Sequence, residues 1–389
     1  MLTFHAPLPL SLYIHFPWCV RKCPYCDFNS HERRGVIPEA DYIDALMADL
    51  QQQLPAVWGR PIESVFIGGG TPSLLSAEAV DRLLSGLRAL LGLTPDCEIT
   101  LEANPGTLEQ GRFTEYRAAG INRLSIGVQS FGEEQLQALG RIHSREEALR
   151  AAEAAHAAGL ENFNLDLMFG LPGQDAAKAL ADVEQAIALA PAHISYYQLT
   201  IEPNTAFAHQ PPVLPEDEAL WAIQQQGQET LAAAGYVQYE VSAFAREGRQ
   251  CRHNLNYWRF GDYLGIGPGA HGKLSYPAEG RVERTWKQRH PQAYLDKAAG
   301  PDVVAGRRDL SRDDLALEFM MNALRLTDGF ESALFQDRTG MPISVVEAPL
   351  QRAQQLGLLE WRLQEIVPTE RGRNYLNELL QLFMPEEDE

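Results

Sequence analysis

Over roughly the first 240 residues the chain alternates six times between a short apolar run and an amphipathic stretch of helical period. That alternation restricts the fold more than any other feature. Ser11 to Phe16, Ser64 to Ile67, Glu98 to Glu102, Arg123 to Val128, Phe163 to Met168 and Ile194 to Thr200 predict strands. Tyr42 to Leu50, Ala77 to Leu91, Glu109 to Ala119, Arg145 to Ala158, Leu180 to Leu189 and Glu218 to Ala234 predict helices. Ser144 followed by Glu147 reads as a capping box, and Gly120, Gly159 and Gly235 stand where left-handed residues end helices. Repeated strand and helix units with right-handed crossovers build a parallel sheet. A cysteine loop, a glycine run, Glu102, Gln129, Asp166 and Glu202 all fall at or near the carboxyl ends of these strands, which favours an open barrel over a doubly wound sheet. The α/β expectation is a partial (β/α)6 TIM-like barrel over residues 1–241.

The regular alternation stops near residue 242. Gly, Asn, Tyr and Trp replace it to about residue 275, followed by a polar stretch rich in Arg and Pro, so 242–300 is read as a binding-loop segment and linker. A helix from Asp313 to Leu326, a hairpin-like stretch from Trp361 to Pro368 and a last helix to Phe383 suggest a smaller C-terminal α+β domain over 301–389, winged-helix-like in outline. A chain of 389 residues exceeds one hydrophobic core, which agrees with a barrel plus a satellite.

Charge excludes one common use of a winged helix. With 33 Lys and Arg against 52 Asp and Glu, the net charge of -19 repels a phosphate backbone, so no nucleic-acid partner is expected. No run approaches the roughly 18 apolar residues of a membrane span, and Met1 to Leu10 lacks a charged segment ahead of an apolar run. A cytoplasmic protein without a transmembrane segment is expected. No basic amphipathic helix is visible, so any membrane contact would be transient or indirect.

Three of the five cysteines, Cys19, Cys23 and Cys26, lie within eight positions; Cys97 and Cys251 are isolated. Such clustering in a reducing compartment reads as metal binding. Three thiolates in a loop directly after a strand can hold three irons of a four-iron, four-sulfur cluster and leave the fourth to an outside ligand. Pro17 and Pro24 restrict that loop. The spacing also admits a zinc site completed by His15 or His31, or plain buried thiols, although zinc sites favour two CxxC pairs, which the chain lacks. Gly68-Gly69-Gly70-Thr71-Pro72 either brings backbone amides against a polar ligand or forms a tight turn. Glu102 and Asp166 suit ribose hydroxyls or a sulfonium charge, or are surface acids. His253-Asn254-Leu255-Asn256-Tyr257-Trp258 sets an imidazole beside two flat rings, which suits heme ligation as well as a packed, hydrogen-bonded histidine; His271 and Cys251 are the rival ligands.

The CxxxCxxC loop, with Tyr25 before its last cysteine and GGGTP one strand and helix later, resembles the radical SAM superfamily. The resemblance implies a 4Fe-4S cluster on Cys19, Cys23 and Cys26, with S-adenosylmethionine (SAM) chelating the open iron. It places SAM contacts at Tyr13, Tyr25, Gly69, Gly70, Thr71, Glu102 in LEANPG, Gln129 in SIGVQS, Arg141 in LGRIHS and Asp166 in LDLMFGLPG. Along nearly its whole length the chain resembles the branch of oxygen-independent coproporphyrinogen III oxidases and HemW heme chaperones. The oxidases carry one more cysteine two positions after the third, where this chain has Phe28, and an N-terminal extension where this chain has few residues before the first strand. The HNLNYW match points to the chaperones and implies heme at His253. This resemblance implies a protein that binds heme and passes it to apo-hemoproteins of the respiratory chain, with no residue assigned to porphyrin oxidation. Two alternatives are a true coproporphyrinogen III oxidase and a SAM-binding structural partner without heme.

Overall fold

The computed structural model describes residues 2–106 and 111–384. Its strands are β1 (Leu10–Phe16), β2 (Trp18–Cys19), β3 (His31–Glu32), β4 (Ile62–Gly69), β5 (Leu93–Ala103), β6 (Arg123–Gln129), β7 (Phe163–Phe169), β8 (His193–Gln198), β9 (Val237–Glu240), β10 (Ala243–Ala245), β11 (Asp262–Ile266), β12 (His271–Tyr276), β13 (Arg281–Lys287), β14 (Val304–Asp309), β15 (Phe330–Glu331), β16 (Leu359–Arg362) and β17 (Glu365–Pro368). Six of them, β1, β4, β5, β6, β7 and β8, pair in parallel in chain order. The intervening helices include Glu39–Val57, Ala77–Leu90, Phe113–Ala119, Arg145–Ala157, Ala176–Ala188 and Asp217–Ala233. This is the expected partial (β/α)6 barrel. It stays open, because other strands extend both edges of one twelve-stranded mixed sheet. The Glu109 and Gln110 part of the expected third helix lies outside the described residues.

Local sequence explains why these elements form. In β1 both faces are buried, as helices on one side and the barrel interior on the other demand of a central parallel strand. In Ala77–Leu90, Val80, Leu83, Leu84 and Leu87 form one apolar stripe, and the Ser76 hydroxyl accepts from the Ala79 amide to start the helix. Ala148, Ala151, Ala152 and Ala155 bury the face of Arg145–Ala157, and the capping box of Ser144 and Glu147 closes in both directions. Gly120 ends its helix at φ 119°.

Residues 242–300 need a correction. The stretch read as a loop and linker contains the helix Arg252–Trp258 and joins the main sheet: β10 pairs with β8 at one end, and β11 pairs in parallel with β1 at the other. From β11 the sheet continues antiparallel through β12, β13 and β14, so the Arg-rich polar stretch is also strand. Partly exposed antiparallel strands carry polar residues on one face, and no apolar run announces them. The C-terminal unit packs Arg312–Ala323, Ser332–Thr339 and Glu347–Gln355 against a small sheet ordered β15, β17, β16. Its core of Leu315, Phe319, Met320, Phe335, Leu350 and Ile366 also takes in Phe260 and Val282 from the sheet region.

Candidate functional site: a thiol-lined cleft beside an aromatic one

The carboxyl ends of the parallel strands collect the expected residues into one cleft. Cys19, Cys23, Cys26, Tyr25, Gly69, Gly70, Thr71, Glu102, Gln129, Arg141 and Asp166 all line it. Arg21, Phe28 and Asn104 line it as well, and the motif reading assigned none of them to the site. Glu202 lies after β8 and is not part of this lining; its carboxylate accepts from the Thr200 hydroxyl.

The three thiols are free and half-buried on the loop between β1 and the helix Glu39–Val57. Neither histidine offered for a zinc site borders the cleft. His15 engages both ring nitrogens, one with the Tyr13 hydroxyl at 2.9 Å and one with the Asn29 carbonyl at 3.0 Å, and His31 faces His290 elsewhere. Three thiols with neither histidine beside them in the cleft fit a cluster that keeps one iron for an outside molecule. Burial, followed by the charges of Cys26 and Cys23, raises the Cys19 thiol in the metal-free protein, while Thr71 and Ser30 lower it. Bound iron would reverse that balance by stabilising thiolate.

Around the thiols the polar groups form a connected frame. Arg141 donates to the Gly127 carbonyl at 2.6 Å and to Asn104 Oδ1 at 2.7 Å, and its other terminal nitrogen reaches Cys23 Sγ at 3.7 Å. Asn104 in turn donates to Thr71 Oγ1 at 3.1 Å. This chain of bonds joins the glycine run, the end of β5 and the cysteine loop. The Arg141 Nε is buried without a partner among the described residues, an orphan donor suited to an anionic group.

Glu102 accepts from the Gly69 amide at 2.9 Å. Desolvation outweighs that bond and, aided by the nearby Asp166, pushes the Glu102 carboxyl up to about 8. Asp166 is also raised by burial, and it accepts from Asn164 at 2.8 Å and Ser125 at 3.2 Å. Two half-buried carboxyls that resist ionisation suit a cationic or hydroxyl-bearing ligand. Gln129 holds φ 70°, an uncommon value for a side-chain-bearing residue, and accepts from the Tyr197 hydroxyl at 2.9 Å. Gly69 has φ 112°, and a Cβ there would meet the His15 ring at 2.5 Å, so the close turn excludes any side chain.

Tyr13 and His253 are placed elsewhere. Tyr13 lines a second cleft of about 740 Å³ with His15, Phe28, Tyr257, Tyr263, His271, Trp286 and Arg289; Gly69 and Phe28 border both clefts. His253 is buried in the helix Arg252–Trp258, with one nitrogen at 3.0 Å from Ser64 Oγ and the other at 3.2 Å from the Tyr257 hydroxyl. Burial and then Arg123 lower His253 to about 3, so it is neutral. The start of its helix is held by Glu98, which accepts from the Arg252 and His253 amides at 3.0 and 3.2 Å. Cys251 is fully buried, and desolvation pushes its thiol up to about 12.

Comparisons with known proteins identify the family. The radical SAM superfamily model matches residues 13–186, and the HemN C-terminal domain model matches 310–375. The heme chaperone HemW of Escherichia coli K12 is 53% identical over 383 residues, covering 97% of this chain and 99% of its own length. Its counterpart in Haemophilus influenzae is 51% identical with the same coverage, and that of Mycobacterium tuberculosis H37Rv is 36% identical over 95% of this chain and 94% of its own. Among solved structures, the radical SAM coproporphyrinogen III oxidase HemN of Escherichia coli superposes with a TM-score of 0.82 at 23% identity, over 97% of this chain and 90% of that one, a likeness of fold. With a thiol-lined cleft at the strand ends and relatives above half identity along nearly the whole length, the chain belongs to the HemW family of radical SAM proteins.

Proposed function

We propose that the protein is a cytoplasmic heme chaperone that binds heme, carries a 4Fe-4S cluster and SAM, and delivers heme to apo-hemoproteins of the respiratory chain. The observation that carries the reading is the pairing of two adjoining clefts, one walled by three thiols and two carboxyls, the other by aromatic rings. Cys19, Cys23 and Cys26 would hold the cluster, and Gly69, Gly70, Thr71, Glu102, Gln129, Arg141 and Asp166 would surround SAM. When bound, these groups would supply a low-potential electron relay and a source of the deoxyadenosyl group. The chain's own part is positional. Arg141 and Asn104 fix the cysteine loop against the glycine run, and the Gly69 amide orients the Glu102 carboxyl group.

Tyr25 borders the thiol cleft and packs near Phe207 at 6.4 Å between ring centres, which fixes the loop before its last cysteine. Tyr13 would contact the contents of the second cleft. The chaperone reading favours reversible binding of a flat, apolar cargo over its oxidation. Phe28 supports it: 58% exposed, it borders both clefts at the position where the oxidases carry a further cysteine.

The test is anaerobic reconstitution with iron and sulfide, followed by hemin titration and by incubation with coproporphyrinogen III and a reductant. A Soret shift that saturates at one hemin per chain, without protoporphyrinogen formation, is the expected result. Formation of protoporphyrinogen at enzymic rates would establish the oxidase instead, and absence of any Soret shift would leave a SAM-binding protein without heme.

A further inference from the structure

The HNLNYW segment carries the family's sequence likeness to heme binding, yet its histidine is the less accessible of the two near the aromatic cleft. Both His253 nitrogens are engaged, and the ring lies between Phe66 at 5.1 Å and Tyr257 at 4.9 Å. Reaching heme would require leaving Ser64 and Tyr257 and opening a packed helix. Ser64 would keep its bond to the Ser11 hydroxyl at 2.8 Å, but the Tyr257 hydroxyl would lose the partner it has among the described residues.

His271 has the opposite setting. It starts β12, is exposed, and lines the 740 Å³ cleft. Neither ring nitrogen has a hydrogen bond among the described residues, so both remain available to a ligand. Across the antiparallel register it sits opposite Trp286, with ring centres 6.4 Å apart and planes 27° from parallel. Desolvation, with the positive charges of Arg284 and Arg289, lowers its pKa, which keeps a lone pair free at neutral pH. Tyr257 and Tyr263 form an edge-to-face pair 4.6 Å apart along the same cleft. Arg289 is exposed at its border, with no ion pair among the described residues.

We propose that His271 is the axial ligand of the heme cargo, with the porphyrin lying against Trp286, Tyr257 and Tyr263 and a propionate paired with Arg289, while His253 positions Tyr257 from behind. The assignment rests on the chaperone reading and deepens it. The chemistry is a neutral imidazole for iron, flat rings for the macrocycle and a guanidinium for a carboxylate. The segments just before β12 and just after β13 are also tied to the cysteine loop: Asn29 Nδ2 donates to the Pro268 and Arg289 carbonyls, each at 2.9 Å.

The experiment uses cluster-loaded full-length protein titrated anaerobically with hemin, then reduced and read by resonance Raman for the iron–histidine stretch, with cluster absorbance as the control for folding. The stretch is expected in the wild type and in His253→Gln, and absent from His271→Ala, with hemin affinity lowered about tenfold in Arg289→Gln, the loss of one charge-assisted bond. Added imidazole is expected to restore the stretch in His271→Gly. Its persistence in His271→Ala, or failure of imidazole to restore it in His271→Gly, would overturn the assignment. Wild-type protein that binds hemin without the stretch would overturn the ligand alone; wild-type protein that binds no hemin would overturn the chaperone reading with it.

Discussion

Glu102 shows how a single carboxyl can report on the contents of the cleft. Because burial holds it near 8 in the ligand-free protein, it is mostly protonated at pH 7, and a cationic ligand must draw off that proton. SAM affinity, measured by equilibrium dialysis on reconstituted protein, is therefore expected to rise between pH 6.5 and 8.5, with a flatter profile in Glu102→Gln. The folding linkage has the matching sign. A carboxyl raised in the folded state contributes stability that is complete below its unfolded value near 4.5 and is lost as pH climbs through 8. Thermal unfolding of ligand-free wild type relative to Glu102→Gln checks this, and a difference that grew with pH in favour of the wild type would refute it. Much of the cleft was legible at this scale. CxxxCxxC, GGGTP and single acids at strand ends leave a sequence signal because their chemistry needs particular residue types. Asn104 and Tyr197 left none, since each acts through hydrogen bonds to partners that only folding supplies. His253 stood out in the sequence for its aromatic neighbours; one of them, Tyr257, packs on it, together with Phe66 from β4, which is distant in sequence.

At the scale of elements, the edge next to the aromatic cleft depends on buried charge. Asp262 at the start of β11 pairs with Arg60 at 2.9 Å and Lys273 at 3.3 Å and accepts from the Ser275 hydroxyl at 2.9 Å. Its carboxylate thus joins β11 to β12 and to the turn before β4. Replacing Asp262 with Ala leaves a buried ammonium and a guanidinium without their counter-charge, and a loss of about 3–5 kcal/mol in urea unfolding is expected. Ser144→Ala removes one half of the capping box and should cost only about 1 kcal/mol by the same measurement. The helix boundaries set by Ser144, Gly120 and Gly159 were readable because caps are local. The strands β11 to β14 were hidden, since their stability comes from partners distant in sequence and from ion pairs such as that between Lys273 and Asp262.

Across the whole molecule, the sheet and the C-terminal unit share apolar surface. Phe260 and Val282 lie in the same core as Phe319, Leu350 and Ile366, and Phe319 packs 5.8 Å from Phe260 between ring centres. Removing the chain from Ser311 onward would expose those side chains, so the truncated barrel is expected to aggregate or to lose cooperativity, while the full chain unfolds in one transition; circular dichroism and light scattering decide this. Two independent transitions in the full chain would contradict it. The alternation of the first 240 or so residues announced the barrel because each unit is local, whereas this shared core joins residues on either side of the polar stretch before Ser311. The central claim concerns the three thiols at the barrel mouth. Iron and sulfide counting, with Mössbauer spectra of anaerobically reconstituted wild type and of Cys19→Ala, Cys23→Ala and Cys26→Ala, tests it most directly. Four irons and four sulfides per chain, with one iron perturbed by added SAM and the cluster lost or depleted in each variant, is the predicted result. Stoichiometric zinc in place of iron, or variants with the full wild-type cluster, would contradict it.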